Sequence, residues 1–170
     1  MADIEFLSKI QLFKNLNHSQ IKKVAKILKP IKFKADEIII AEGEKGDTMY
    51  IFKKGKVQIT HQLTLRTGSN HWEEGEKSMA ILDAEKINFF GEMSLVTGSP
   101  RSATIKALTE CELYEMSKED FEKLAEENPD IGYKIMKEIA AVLSHRIEGL
   151  NENILKLTTA LSIALTKKKK

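Results

Sequence analysis

Glu92 and Arg101 are the two side chains whose types and spacing could do chemistry. They stand nine residues apart in Phe89-Phe90-Gly91-Glu92-Met93-Ser94-Leu95-Val96-Thr97-Gly98-Ser99-Pro100-Arg101-Ser102-Ala103-Thr104-Ile105. The forked donors of an arginine suit a phosphate, and a lone carboxylate can accept hydrogen bonds from hydroxyl groups. Gly91 allows backbone to approach a ligand closely, and Gly98, Ser99 and Pro100 are turn formers that break up the apolar run Met93 to Val96. Together these parts describe a nucleotide site. The same residues also read as a surface ion pair, worth about 0–1 kcal/mol, beside an ordinary turn.

Elements on either side must position this stretch. Residues 3 to 29 read as helix. Ile4, Leu7 and Ile10 keep a three-residue beat, and Asn17 or Ser19 can cap a second helix that buries Ile21, Val24, Ala25 and Leu28 and ends at Pro30. Its lysines at 22, 23, 26 and 29 read as a solvated face or a patch for an acidic partner. From Ile31 the pattern has period two. Ile38 to Ile40, Met49 to Phe52 and Val57 to Thr60 read as short strands between glycine turns, which predicts a β-roll or sandwich. Gln62 to Met79 reads as a long hairpin loop, with Trp72 either a stacking platform or a locally packed aromatic. Glu112 to Met116 reads as the last strand, and Ser117 as a helix cap with Asp120 three residues on. Asn128-Pro129-Asp130 marks a stop and a restart, with Asp130 a candidate cap.

From Ile131 to Leu165 no proline occurs. Met136, Ile139, Leu143, Ile147, Leu150, Ile154, Leu157 and Leu161 keep a stripe close to a heptad seam. A helix of that length carries more apolar surface than one small roll covers, which predicts a homodimer through the C-terminal helix. The rival reading folds the helix back on its own domain. Gly149 within it costs about 1 kcal/mol relative to alanine and is either tolerated or a flexible joint.

Phe90-Gly91-Glu92-Met93-Ser94-Leu95, followed by Pro100-Arg101-Ser102-Ala103-Thr104, resembles the phosphate-binding cassette of cyclic-nucleotide-binding domains. These occur in the catabolite activator protein, the regulatory subunits of cAMP-dependent protein kinase and cyclic-nucleotide-gated channels. The run from Gly43 through Gly46-Asp47-Thr48-Met49-Tyr50-Ile51 to Gly55-Lys56-Val57 also resembles that family, whose glycines shape the corners of the roll. Ile87-Asn88 departs from the Gly-Asp usual ahead of Phe-Gly-Glu. The resemblance implies an α+β fold, an antiparallel β-roll of jelly-roll type with N-terminal helices and a long C-terminal helix. It assigns Glu92 to the ribose 2′-hydroxyl and Arg101 to the cyclic phosphate. Backbone donors near Gly91, Met93, Ser94, Ser102 and Ala103 are expected to complete the cradle, with Phe90 beside it. It further implies a helix after the roll that closes over the base, with Arg146 and His145 the nearest polar candidates for purine contact. Ser102 could donate to the phosphate or reach a guanine amino group, so the expected ligand is cAMP or cGMP, with cAMP favoured. The expected units are residues 1–130 as the binding roll with its flanking helices, 131–166 as lid and dimerisation helix, and 167–170 as a basic tail.

Size and charge limit the remaining classes. The 170 residues are 42% hydrophobic, enough for one good core. The net charge of +2 falls to about −2 without Lys167 to Lys170, so no global basicity points to nucleic acid. The tail itself reads as a solvated end, with contact to nucleic acid or an anionic surface as the alternative. The single cysteine, Cys111, forms no internal disulfide and reads as a small buried hydrophobe in a reducing compartment. No signal peptide and no run of eighteen apolar residues occurs, so a cytoplasmic chain without a membrane span is expected. The histidines at 18, 61, 71 and 145 are scattered, and neither a nucleophile–base pair nor a phosphate loop of the Walker type appears. The expected protein is therefore a sensor and no enzyme, without cofactor or metal and with an unknown downstream effector. A DNA-reading domain is not expected within this chain. The alternatives are the sensor part of a longer transcription regulator and a β-roll dimerisation scaffold that has lost its ligand.

Overall fold

The computed structural model describes residues 2–66, 72–84 and 88–167, and for 62–66, 72–79 and 167 it describes the backbone only. Two four-stranded antiparallel sheets face each other. One has β1 (Lys29–Phe33), β8 (Cys111–Ser117), β3 (Thr48–Lys54) and β6 (Phe89–Phe90) in that order. The other has β2 (Ile38–Ile40), β7 (Thr104–Ala107), β4 (Lys56–Arg66) and β5 (Trp72–Asp83). Helices α1 (Ile4–Ser8), α2 (His18–Ile27), α4 (Lys118–Glu127) and the first turns of α5 (Pro129–Lys167) cover the outer face of the first sheet. The fold is the expected β-roll with N-terminal helices and a long C-terminal helix.

β3 shows why the run Met49-Tyr50-Ile51-Phe52 is apolar throughout. Both faces of a covered strand are buried, so alternation with polar residues is lost. Met49 and Ile51 pack with the helices, while Tyr50 and Phe52 fill the roll with Ile40, Phe90, Ile105 and Leu113. Cys111 is buried in that second cluster, and burial pushes its thiol pKa up. Such a thiol is a poor nucleophile.

Several local readings are corrected. The stretch read as helix from residue 3 breaks after Ser8 into a 3-10 turn at Gln11–Phe13, before Asn17 and Gln20 form a reciprocal capping box on α2. Pro30 does not end that helix, which stops at Ile27. It sits in β1, an edge strand, where its missing N–H costs no ladder bond. The polar stretch read as a loop from Gln62 to Met79 is largely a ribbon, with β4 and β5 paired from Lys56↔Asp83 to Arg66↔Trp72. The backbone of Trp72 belongs to β5, while its ring, His71, Ile87 and Lys168 to Lys170 lie outside the described residues. Met93 to Val96 are not a run broken by a turn but the body of a short helix, α3 (Glu92–Thr97). Asp130 does not cap α5. Pro129 already occupies its first position, where proline is well tolerated, and Asp130 binds Gln20 and Lys134. The lysines at 22, 23, 26 and 29 are exposed.

α5 divides into two parts. Ile131, Ile135 and Ile139 are almost fully buried, and Gly132 lies so close to Ala125 of α4 that a Cβ would come within 2.6 Å of the alanine methyl. Between them Glu138, 4% exposed, accepts from Asn15 at 2.6 Å and Gln11 at 3.3 Å and pairs with Lys14 at 3.0 Å. A buried carboxylate needs such partners, and here they tie the N-terminal turn to α5. Further along, Ile147, Leu150, Ile154, Leu157 and Leu161 are 58–70% exposed. The helix runs on through Gly149 without a break. Ile135→Ala should therefore cost about 2–5 kcal/mol in a urea titration, the range for large-to-small substitutions in a core.

Candidate functional site

Arg101 is fixed from both directions along the backbone. Its N–H donates to Glu44 O at 2.8 Å, and its carbonyl accepts from Gly43 N–H at 2.9 Å. These bonds hold the residue against the loop between β2 and β3. The guanidinium then reaches the start of β3. Nη1 donates to Thr48 O and Nη2 to Thr48 Oγ1, each at 2.7 Å, with a longer bond from Nη1 to Gly91 O at 3.4 Å. The residue is 9% exposed, yet all three partners are uncharged. Among the described residues no carboxylate lies within ion-pair distance of it. A buried cation with neutral partners keeps most of its charge available to an anion.

The glycines make this placement possible. A Cβ on Gly46 would lie 2.5 Å from Ser94 Cβ and 2.8 Å from Arg101 Nε, so the loop can pass over the guanidinium only without a side chain. Gly91 has φ +81° and opens α3 in the left-handed region that glycine tolerates. Gly98 closes the same helix at φ +67°, with its N–H donating to Ser94 O at 2.8 Å. Behind Gly91, Phe90 packs tilted against Tyr50 and edge-on against Phe52, with ring centroids 5.6 and 5.7 Å away.

Glu92 is 2% exposed at the first position of α3. Its Oε1 accepts from Nη1 of Arg146 on α5, an ion pair whose arginine side chain is 40% exposed. A buried carboxylate thus has its countercharge on the long helix. The second oxygen, Oε2, is left for another donor.

Glu92, Arg101 and Arg146 all line one cavity of about 520 Å³, a size ordinary for small-ligand sites. Phe90, Gly91, Met93 and Ser94 form one side of it, with Ser102 and Ala103 following Arg101. Every residue expected at the site except His145 borders this space. His145 does not. Its side chain is 89% exposed and pairs with Glu148 on the next turn of α5, because it points to another face of the helix than Arg146. Ser102 Oγ lies 3.9 Å from Met93 Sδ, a weak contact at the rim.

Sequence reasoning missed the opposite wall. Ile40, Ile59, Leu82 and Ile105 supply an apolar slot, with His61 at its edge 3.7 Å from Glu42. From α5 come Gly149, Leu150 and Asn153, in helical step with Arg146. The signal was present, since residues 146, 149, 150 and 153 share a face. The apolar stripe through Leu150 drew the reading toward a seam instead. Among the described residues no three His, Cys, Asp or Glu side chains gather as a metal site, and no helix is long and apolar enough to cross a membrane.

The family of the cyclic nucleotide-binding domain matches residues 30–128. A cyclic nucleotide-gated potassium channel of Rhizobium etli is 30% identical over 136 residues, 78% of this chain and 33% of the channel. The cAMP-dependent protein kinase regulatory subunit of Dictyostelium discoideum is 28% identical over 120 residues, 71% of this chain and 35% of the subunit. A CRP-like cAMP-activated global transcriptional regulator of Mycobacterium tuberculosis is 27% identical over 150 residues, 88% of this chain and 61% of the regulator. The chain therefore spans between about a third and three fifths of the length of these relatives. In fold it is similar to a cyclic nucleotide-binding domain from Methylobacillus flagellatus, with TM-score 0.73 at 23% identity over 89% of this chain and 80% of that one. The Thermus thermophilus catabolite activator protein gives TM-score 0.69 at 24% identity over 87% and 63%. Because the matched segment spans β1 to α4 and contains both Glu92 and Arg101, the chain belongs to the cyclic nucleotide-binding domain family.

Proposed function

We propose that this protein binds a cyclic purine mononucleotide, cAMP in preference to cGMP, and signals by repositioning α5. The observation that carries the reading is Arg101, a buried guanidinium with neutral partners at the wall of a ligand-sized cavity. Arg146 already balances Glu92, so the lining has one positive charge to spare, and a cyclic phosphate carries one negative charge. A ribose hydroxyl donating to Glu92 Oε2 would sit beside the phosphate on Arg101, with the purine in the apolar slot. Nothing in this arrangement activates a nucleophile, and we assign it binding and no catalysis.

The Glu92–Arg146 pair gives the ligand a route to α5. A ligand that engages Glu92 changes what Arg146 gains from each helix position, and differential affinity is what shifts a conformational population. The distal stripe of α5, exposed on the single chain, is covered in our reading by the same helix of a second copy. The potassium channel and the transcriptional regulator among the relatives support a role as the sensor part of a longer protein. We place that protein in the cytoplasm. The intact pair of Glu92 and Arg101 argues against a ligand-free scaffold.

Arg101→Ala is expected to weaken cAMP and cGMP binding by about 1.5–3 kcal/mol, the range for hydrogen bonds to charged groups. An unchanged midpoint in isothermal titration would remove Arg101 from its role. Leu157→Asp, on the stripe but away from the cavity, should convert a dimer to a monomer in sedimentation while leaving nucleotide affinity per chain within about two-fold. A variant that sediments as the wild type would count against the helix seam.

A further inference from the structure

We infer that Thr48 is a positioning residue: its two oxygens grip one edge of the Arg101 guanidinium and leave another edge as the seat for an anion. The inference rests on the function proposed above and adds a residue that acts through Arg101, since Thr48 itself does not border the cavity. A guanidinium carries five N–H donors in a fixed planar fork. Thr48 O accepts from Nη1 and Thr48 Oγ1 from Nη2, each at 2.7 Å. Two acceptors on one residue meet both of these nitrogens along the end of the fork. The other Nη1 proton is directed to Gly91 O at 3.4 Å. That leaves Nε–H and the second Nη2–H, two donors that share the side of the fork and suit the two free oxygens of a phosphodiester. No described residue accepts from Nε. A side chain at Gly46 would crowd that nitrogen, because its Cβ would stand 2.8 Å away.

Two properties suit Thr48 to this task. It is neutral, so it orients the guanidinium without cancelling the charge, whereas a carboxylate in its place would hold the fork and neutralise it. It is also well anchored, opening β3 opposite Ser117 of β8 and beside the fully buried Met49. With a phosphate in place all five donors are met, three by Thr48 and Gly91 and two by the anion. Without Oγ1 one Nη2–H has no acceptor in a residue only 9% exposed, and the fork loses one of the two points that stop it from turning. A buried donor left unpaired is costly, so the liganded arrangement weakens.

The test titrates cAMP and cGMP into the wild-type chain, Thr48→Val, Thr48→Ser, Arg101→Ala and the double variant of Thr48→Val with Arg101→Ala. Thr48→Val keeps the side-chain shape and the backbone carbonyl but removes Oγ1, and its affinity should fall about ten-fold, the scale of one hydrogen bond to a charged group. Thr48→Ser restores the hydroxyl and should bind within about two-fold of the wild type. Thr48→Val should add nothing to Arg101→Ala, because residues that act as a unit are not additive. NMR of the guanidinium in the wild type needs no change at Thr48. Without ligand the Nη protons of Arg101, assigned by their loss in Arg101→Ala, should be resolved from one another because the grip blocks rotation, and added cAMP should shift Nε–H. An undiminished affinity in Thr48→Val, no rescue by Thr48→Ser, an equal loss in the Arg101→Ala background, or one averaged Nη signal overturns the assignment while leaving the proposed binding function standing. A wild type that binds neither nucleotide overturns both.

Discussion

Holding the Arg101 guanidinium nine-tenths buried with no carboxylate beside it is a demand that much of the molecule serves. Desolvating a cation costs several kcal/mol unless good hydrogen bonds replace water, and here two oxygens of Thr48 and the carbonyl of Gly91 replace it. Thr48 begins β3, which is buried on both faces, so these acceptors sit on one of the best-supported strands. Gly46 must lack a side chain for the loop to pass, and Glu44 and Gly43 must hold the arginine backbone. Moving any one of these would leave the charge where neither water nor protein could satisfy it. The carboxylate–cation contact at the cavity, Glu92 with Arg146, is of the opposite kind. It joins a fixed wall to a half-exposed side chain on a helix that the roll supports only at its root.

The helical layer and the roll share one sheet but have separate interiors. Met49 and Ile51 face one, Tyr50, Phe52 and Phe90 the other. The cavity wall is joined to the helical layer at two places, by Leu95 of α3, which packs among the helices, and by the ion pair of Glu92 to α5. The N-terminal turn is bound to α5 by Glu138, so the helix root and the first residues of the chain act on the roll together.

Much of this was legible in the sequence because each signal had a single physical meaning. Ser117 with Asp120 announces a helix start through its own hydrogen bonds, and of the two candidate caps Asn17 and Ser19 the structure uses Asn17, in a box with Gln20. The glycine turns and apolar triplets announce strands, and the cassette resemblance placed Glu92 and Arg101 in one cavity before any coordinates. What was illegible depended on tertiary context. β5 is polar, as an edge strand can be, and its polar part read as loop. α3 is six residues long, too short for a helical period to emerge from Met93 to Thr97. His145 and Arg146 are neighbours in sequence but 100° apart around a helix, and only the rotation of α5 decides between them. The partner of Arg101 was harder still, since nothing about threonine 53 positions upstream marks it as an acceptor for that guanidinium.

The unequal support of α5 makes it a lever with its fulcrum near Ile139. From there to Lys167 the helix extends about 42 Å at 1.5 Å per residue, nearly three times the arm from Ile139 back to Pro129. A tilt of about 5° at the fulcrum would carry the far end about 4 Å. That exceeds half the spacing between successive turns. A displacement at Arg146, about 10 Å from the fulcrum, is thus magnified about four-fold at the far end of α5 by geometry alone, without loss of any bond inside the roll.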